Sequence, residues 1–272
     1  GGRGQRSRGQ RGSNIRIKVK LTLEDIATGA NKKIKVKKYV GCQTCSGSGA
    51  KSGSAKKTCQ TCKGAGSILK VSNTFLGQMQ TKVNCPSCNG AGETITDKCG
   101  TCKGEGRNYG YETISIDIPA GVSEGMQLSM SGKGNIGKNG GPNGDLLINI
   151  EEIAHDTLTR DGINLIHDLY LNFADAALGT SIEVPTLEGL VRIKIPEGTQ
   201  AGKIFRLKGK GLPALQSYEK GDQLIHLNIW TPKKITDKER RFLEQMRGMK
   251  NFQPNPGKSD KGFFEKMKDI FS

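Results

Sequence analysis

Eight cysteines are the residues of this sequence best suited to chemistry, and their spacing says which chemistry. All lie within residues 42–102, as four copies of C-x-x-C-x-G-x-G built on Cys42/Cys45, Cys59/Cys62, Cys85/Cys88 and Cys99/Cys102. A thiolate is a soft donor, and two of them three residues apart on a tight turn grip one side of a tetrahedral metal. The glycines behind each pair let the chain fold back with φ > 0 and leave backbone N–H groups free to face sulfur. A closed structural zinc site takes four thiolates, so four motifs serve two Zn2+ ions. If the segment is an insertion, its ends lie close together, so the outer motifs meet and the inner two are left for each other. The expected ligands are Cys42, Cys45, Cys99 and Cys102 for one zinc, and Cys59, Cys62, Cys85 and Cys88 for the other. Each four-thiolate site carries a charge of about −2, which Lys56, Lys57, Lys63, Lys98 and Lys103 stand ready to offset. Two other readings use the same pairs. One is a disulfide framework; the other is thiol–disulfide exchange, which needs a solvent-open thiol of lowered pKa.

The rest of the chain must position this segment. Of 272 residues only 34% are hydrophobic, while 38 are glycine, so one large buried core is a poor expectation and several thin modules a better one. The net charge is +16, which permits a nucleic-acid partner, but aromatics are 5% and the cysteine-rich stretch offers only Phe75 for stacking. No specific nucleic-acid site is therefore expected. No stretch approaches the ~18 apolar residues of a membrane span, and no secretory leader is read. No Ser/His/Asp constellation, phosphate loop or useful carboxylate pair is present, Glu24-Asp25 and Glu151-Glu152 being read as solvated; the expectation is not an enzyme.

The modules announce themselves as an internal repeat. At an offset of 77, Ile118-Pro119 matches Ile195-Pro196, Gly132-Lys133-Gly134 matches Gly209-Lys210-Gly211, and Gly144-Asp145 matches Gly221-Asp222, without a gap. Upstream the offset is 150, where Leu21, Asp25, Ala27 and Gly29 match Leu171, Asp175, Ala177 and Gly179. The first copy therefore holds about 73 extra residues, and all eight cysteines are among them. Residues 15–23, 113–118, 146–150, 190–195 and 224–229 alternate as strands, and short helices are expected at 23–28 and 173–178. The fold class is mainly β: two tandem, related β-sandwich-like modules, a two-zinc insertion in the first, and a C-terminal helix. That helix starts at the capping box Thr236-x-x-Glu239 and puts Phe242, Leu243 and Met246 on one face. Beyond it, Phe263, Phe264, Met267, Ile270 and Phe271 form an apolar stripe suited to a dimer contact.

The organisation expected is a Gly/Arg-rich linker at 1–13, a first β domain at 14–41 and 107–153, the zinc insertion at 42–106, a second β domain at 154–235, and a helical dimerisation segment with its tail at 236–272.

Four C-x-x-C-x-G-x-G repeats inside the first of two related β modules, with Gly29-x-x-Lys-Lys-Ile34-Lys-Val36 before them and paired Gly-Lys-Gly turns after, resemble the zinc-containing, bacterial-type DnaJ family of heat-shock cochaperones. The resemblance covers residues 14–246 and departs in one respect. The family's ATPase-stimulating His-Pro-Asp tripeptide is missing, because His155, His167 and His226 are never followed by Pro-Asp. ATPase stimulation is not carried over, and the glycine-rich start is read as the end of the linker that follows the family's J domain. The resemblance implies a cytoplasmic homodimer that binds unfolded or misfolded polypeptides and serves a DnaK-class ATPase. It implies a client pocket at Ile34, Val36 and Ile114, where period-2 alternation equally allows core positions.

Overall fold

A computed structural model describes residues 9–51, 55–74 and 77–255. The Gly/Arg start through residue 8, Phe75 and the apolar stripe at 263–271 lie outside the described residues. The chain runs β1 (Ile15–Leu21), α1 (Leu23–Thr28) and β2 (Ala30–Gly41), and then enters the cysteine-rich segment. There it forms β3 (Lys56–Thr58), β4 (Ser67–Thr74), β5 (Gly77–Asn84) and β6 (Glu93–Ile95). It returns through β7 (Arg107–Ile118), β8 (Gln127–Met130) and β9 (Leu146–Glu152). The second half comprises β10 (Thr159–Asp161), β11 (Asn164–Asn172), α2 (Phe173–Leu178), β12 (Thr180–Thr186), β13 (Gly189–Ile195), β14 (Ile204–Leu207), β15 (Gln223–Trp230) and α3 (Asp237–Arg247).

The repeat read from sequence is a repeat of structure. β1 pairs in parallel with β9 from Ile15↔Leu146, and β11 pairs in parallel with β15 from Leu165↔Gln223, so the registers reproduce the offsets of 150 and 77. The antiparallel pairs β2·β7 and β12·β13 repeat it from Ala30↔Ile118 and Thr180↔Ile195. The short helices form for the same local reason. Thr22 and Asn172 cap them by accepting from the N–H of Asp25 and Asp175, and each helix ends at a glycine with φ +77°. The matched Gly-Lys-Gly and Gly-Asp motifs make one clasp twice over: Asp145 accepts from the Gly132 N–H at 3.0 Å, and Asp222 from the Gly209 N–H at 2.7 Å.

Each copy buries the inward residues of its strands between a mixed sheet and an antiparallel pair. The first core holds Leu21, Leu23, Ile26, Ile116, Leu146 and Ile148, and it also takes Leu158, Leu165 and Leu212 from the second half, so the two copies share packing. The second core is smaller, around Leu171, Val184, Ile195, Ile225 and Leu227. Burying each such side chain stabilises by roughly 1.5–3 kcal/mol before chain entropy is charged against it. Of the acidic pairs read as solvated, Glu24 is exposed as expected, whereas Asp25 pairs with Lys32, Glu151 with Lys18 and Glu152 with Arg160. Arg160 also bonds the Val122 carbonyl and the Ser123 hydroxyl, which fastens β10 to the first copy. Among the described residues no helix is long and apolar enough to cross a membrane.

Candidate functional site

The long antiparallel ribbon β2·β7 runs twelve residues on each strand, five beyond its counterpart β12·β13, and delivers Cys42 and residues 99–106 to the same place. Cys42, Cys45, Cys99 and Cys102 converge there, and Cys59, Cys62, Cys85 and Cys88 converge separately, with the sulfurs of each quartet within 4.8 Å of one another. These are the outer and inner pairings expected from the insertion's geometry. Across the first quartet Cys42 and Cys99 Sγ are 4.0 Å apart and Cys45 and Cys102 Sγ 3.7 Å. Across the second, Cys59–Cys85 is 3.9 Å and Cys62–Cys88 is 3.7 Å. All eight thiols are free, and these separations are far beyond the roughly 2.05 Å of a disulfide. Four ligands at about 2.3 Å in a tetrahedron stand about 3.8 Å apart, so both quartets fit a four-coordinate thiophilic ion.

Each centre is a pair of knuckles related by a local twofold. In every motif the second glycine donates its N–H to the second cysteine: Gly49 to Cys45, Gly66 to Cys62, Gly92 to Cys88 and Gly106 to Cys102, at 3.2–3.3 Å. The knuckles are cross-tied by backbone bonds, Cys42 N–H to Gly106 and Cys99 N–H to Gly49 in one centre, Cys59 to Gly92 and Cys85 to Gly66 in the other. A Cβ on that glycine would meet the opposing knuckle's carbonyl at 2.4–2.6 Å, so side chains are excluded there. Sequence reasoning missed a third feature. The residue after the second cysteine (Ser46, Lys63, Asn89, Lys103) adopts φ of 48–52° without being glycine. The available signal was that none of the four is β-branched.

The thiols of a knuckle are not equivalent. The Cys62 N–H holds Cys59 down to about 7, and the Cys102 and Thr101 N–H groups lower Cys99. Burial pushes Cys88 and Cys102 up to about 11. A divalent cation is the charge these buried thiols need in order to ionise. Of the lysines expected to offset that charge, Lys98 lies against Gly104, whereas Lys56 is turned to Glu93 at 3.6 Å.

The three positions implied as a client pocket sit near the middle of the ribbon, five or more residues from its cysteine-bearing end at Gly41↔Arg107. Ile34 stands directly opposite Ile114, and Val36 is two residues along on the same face. Val36 and Ile114 are 5% and 3% exposed and belong to the first core, while Ile34 is half-buried against it. Its counterpart in the second copy, Val184, is fully buried. The β2 edge above Ile34 has no strand partner among the described residues.

Residues 15–232 match the family model described as the DnaJ C terminal domain. Over 268 residues the chain is 48% identical to "Chaperone protein DnaJ" of Bacteroides fragilis, covering 98% of this chain and 68% of that one. It is 49% identical over 261 residues to the protein of that name from Bacteroides thetaiotaomicron (96% and 66% covered), and 45% over 273 residues to that of Salinibacter ruber (98% and 70%). The chain thus spans about two thirds of the length of these relatives.

Proposed function

This chain belongs to the DnaJ family, and on that premise we propose that it binds unfolded polypeptides, keeps them from aggregating and passes them to a DnaK-class ATPase. As a member of that family it is a chaperone and not an enzyme. In this reading the unit formed by residues 14–41 and 107–153 takes the client, residues 42–106 carry two structural zinc ions, and residues 236–272 hold two copies of the chain together. The cysteine quartets support the zinc assignment by spacing and donor type. The dimer is supported by α3, which buries none of its residues and leaves Phe242 and Leu243 exposed over an apolar groove with Pro232 and Ile235.

One observation carries the client site. At the position where the second copy seals Val184 completely, the first copy leaves Ile34 half open beside an unpaired strand edge. An extended segment added to that edge gains backbone hydrogen bonds whatever its sequence, and sets alternate side chains against Ile34 and the rim of Val36 and Ile114. The test is light scattering of a chemically denatured client diluted into buffer with the zinc-loaded chain, under reducing conditions and without ATP. Suppression near one chain per client is expected. A folded, zinc-replete chain that leaves the scattering unchanged would overturn the reading.

A further inference from the structure

The β2 edge is lined by a row of cations, Lys33, Lys35 and Lys37. Tyr39 turns its backbone away from β7: its N–H donates to Asn135 Oδ1 at 2.8 Å, and its carbonyl accepts from the Ile136 N–H at 3.1 Å. The β2·β7 register runs without a bulge, so every second residue shares that orientation. Lys33, Lys35 and Lys37 therefore present N–H and C=O to the open edge, and none of these groups is bonded elsewhere among the described residues. Their side chains all lie on the outer, exposed face. None has a carboxylate partner among the described residues, although Lys32 pairs with Asp25 and Lys38 with Glu112.

The second copy is the internal control. Its equivalent positions are Glu183, Pro185 and Leu187. Glu183 is already paired with Arg192 at 2.8 Å. Pro185 has no N–H, and its carbonyl is taken by Gln223 at 2.7 Å. That edge is closed to an added strand; the β2 edge is open but charged. Edge lysines ordinarily repel neutral or basic strands. A strand docked on β2 places its own alternate residues directly across from these lysines on the same face, where opposite charges attract and like charges repel.

We propose that the β2 edge selects extended segments that alternate apolar with acidic residues, the apolar set turned toward Ile34 and the acidic set paired with Lys33, Lys35 and Lys37. This rests on the client-binding reading above and names the class of segment it favours. A single-stranded nucleic acid would also answer the charge. However, one face of each nearby ring already carries a lysine, Lys35 at 4.8 Å over Tyr111 and Lys37 at 5.3 Å over Tyr109, which leaves less ring surface for base stacking.

The experiment is fluorescence anisotropy of the full zinc-loaded chain with labelled nine-residue peptides alternating Leu with Glu, Ser or Lys, alongside a thymidine nonamer. Leu/Glu is expected to bind about tenfold tighter than Leu/Ser, the size three cross-strand ion pairs give in the lower half of their range, with Leu/Lys weakest. In a folded K33E/K35E/K37E variant, checked by circular dichroism and zinc content, the ranking should invert. Equal binding of all three peptides, or an unchanged ranking in the variant, overturns the selection while leaving client binding in place. An oligonucleotide that binds as tightly as Leu/Glu overturns it in favour of a general polyanion surface. Failure of every peptide removes the client reading itself.

Discussion

Replacing Gly106 by alanine isolates what the metal centres demand of the backbone. Gly106 has φ +74°, its N–H bonds Cys102 Sγ at 3.3 Å, and a Cβ there would stand 2.4 Å from the Gly47 carbonyl oxygen. The backbone conformation alone costs alanine about 1–2 kcal/mol. The overlap is the larger effect. Ordinary contact begins at 3.4 Å, so the two knuckles must part by roughly 1 Å, and both belong to backbone that cannot swing aside. Metal–sulfur distances tolerate only about 0.2 Å, so one centre loses its fourth ligand or its tetrahedral shape, and its metal affinity falls by at least about 10–100-fold. Gly104 is the matched control. Its φ is +94°, but a Cβ there meets only the Lys98 methylenes at 3.2 Å, which can move. G104A should carry the conformational cost without the overlap. Zinc counted by native mass spectrometry during chelator titration should fall from two toward one per chain in G106A, well before G104A or the parent loses metal. Equal resistance of G106A and G104A to chelator would refute the argument that knuckle-to-knuckle contact holds the centre.

Two further outcomes follow from burial and charge. Val36→Ser should lower stability by roughly 2–4 kcal/mol in urea unfolding, since a core side chain is removed and a hydroxyl buried. Ile34→Ser should leave the fold nearly intact yet weaken binding of an unfolded client in anisotropy, and unchanged affinity in folded I34S would sink the pocket. Lys210 and Lys220 hydrogen-bond Glu188 and hold it down to about 2, below an ordinary glutamate. A depressed carboxylate stabilises above its unfolded pKa and loses that contribution as pH falls through the folded value. E188Q should therefore be less stable than the parent at pH 7, with the gap closing between about pH 4.5 and about pH 2; urea midpoints that run parallel across that range would contradict it.

Much of this was legible because duplication and metal spacing are written in residue identity. Two offsets in the sequence became two strand registers, Ile15↔Leu146 and Leu165↔Gln223, since a matched pair of chains makes matched hydrogen bonds. The cysteine pairing followed from the closeness of an insertion's ends, which β2·β7 enforces. What stayed hidden depends on neighbours distant in sequence. Alternation along β2 is the same for a core strand and an open edge, so nothing local separates half-buried Ile34 from buried Val36. The same alternation puts Lys33, Lys35 and Lys37 on one face, but it says nothing of whether a carboxylate from elsewhere in the chain meets them. The helix beginning at Thr236 was visible in its capping box, but its apolar residues meet no core, because periodicity reports a face and not what covers it.

The parallel pairing of β1 with β9 sets a schedule for synthesis. Ile15 meets Leu146, so the first strand leaves the ribosome 131 residues before its partner, whereas Leu165 waits only 58 for Gln223. At about 5–20 residues per second that is a delay of roughly 7–26 s, during which β1 has no sheet to join. The cysteine-rich segment is made inside this interval, and metal held by its two cysteine quartets would let it fold as its own unit. By drawing residues 41 and 107 together it removes most of the intervening chain from the search, which lowers the entropy cost of closing the distant pair. Arg16, Lys18 and Lys20 alternate with the apolar residues of β1 and would keep the waiting strand from pairing with another nascent chain. A chaperone is itself an unfinished polypeptide for most of its own translation, and metal held at its two cysteine quartets would shorten that exposure.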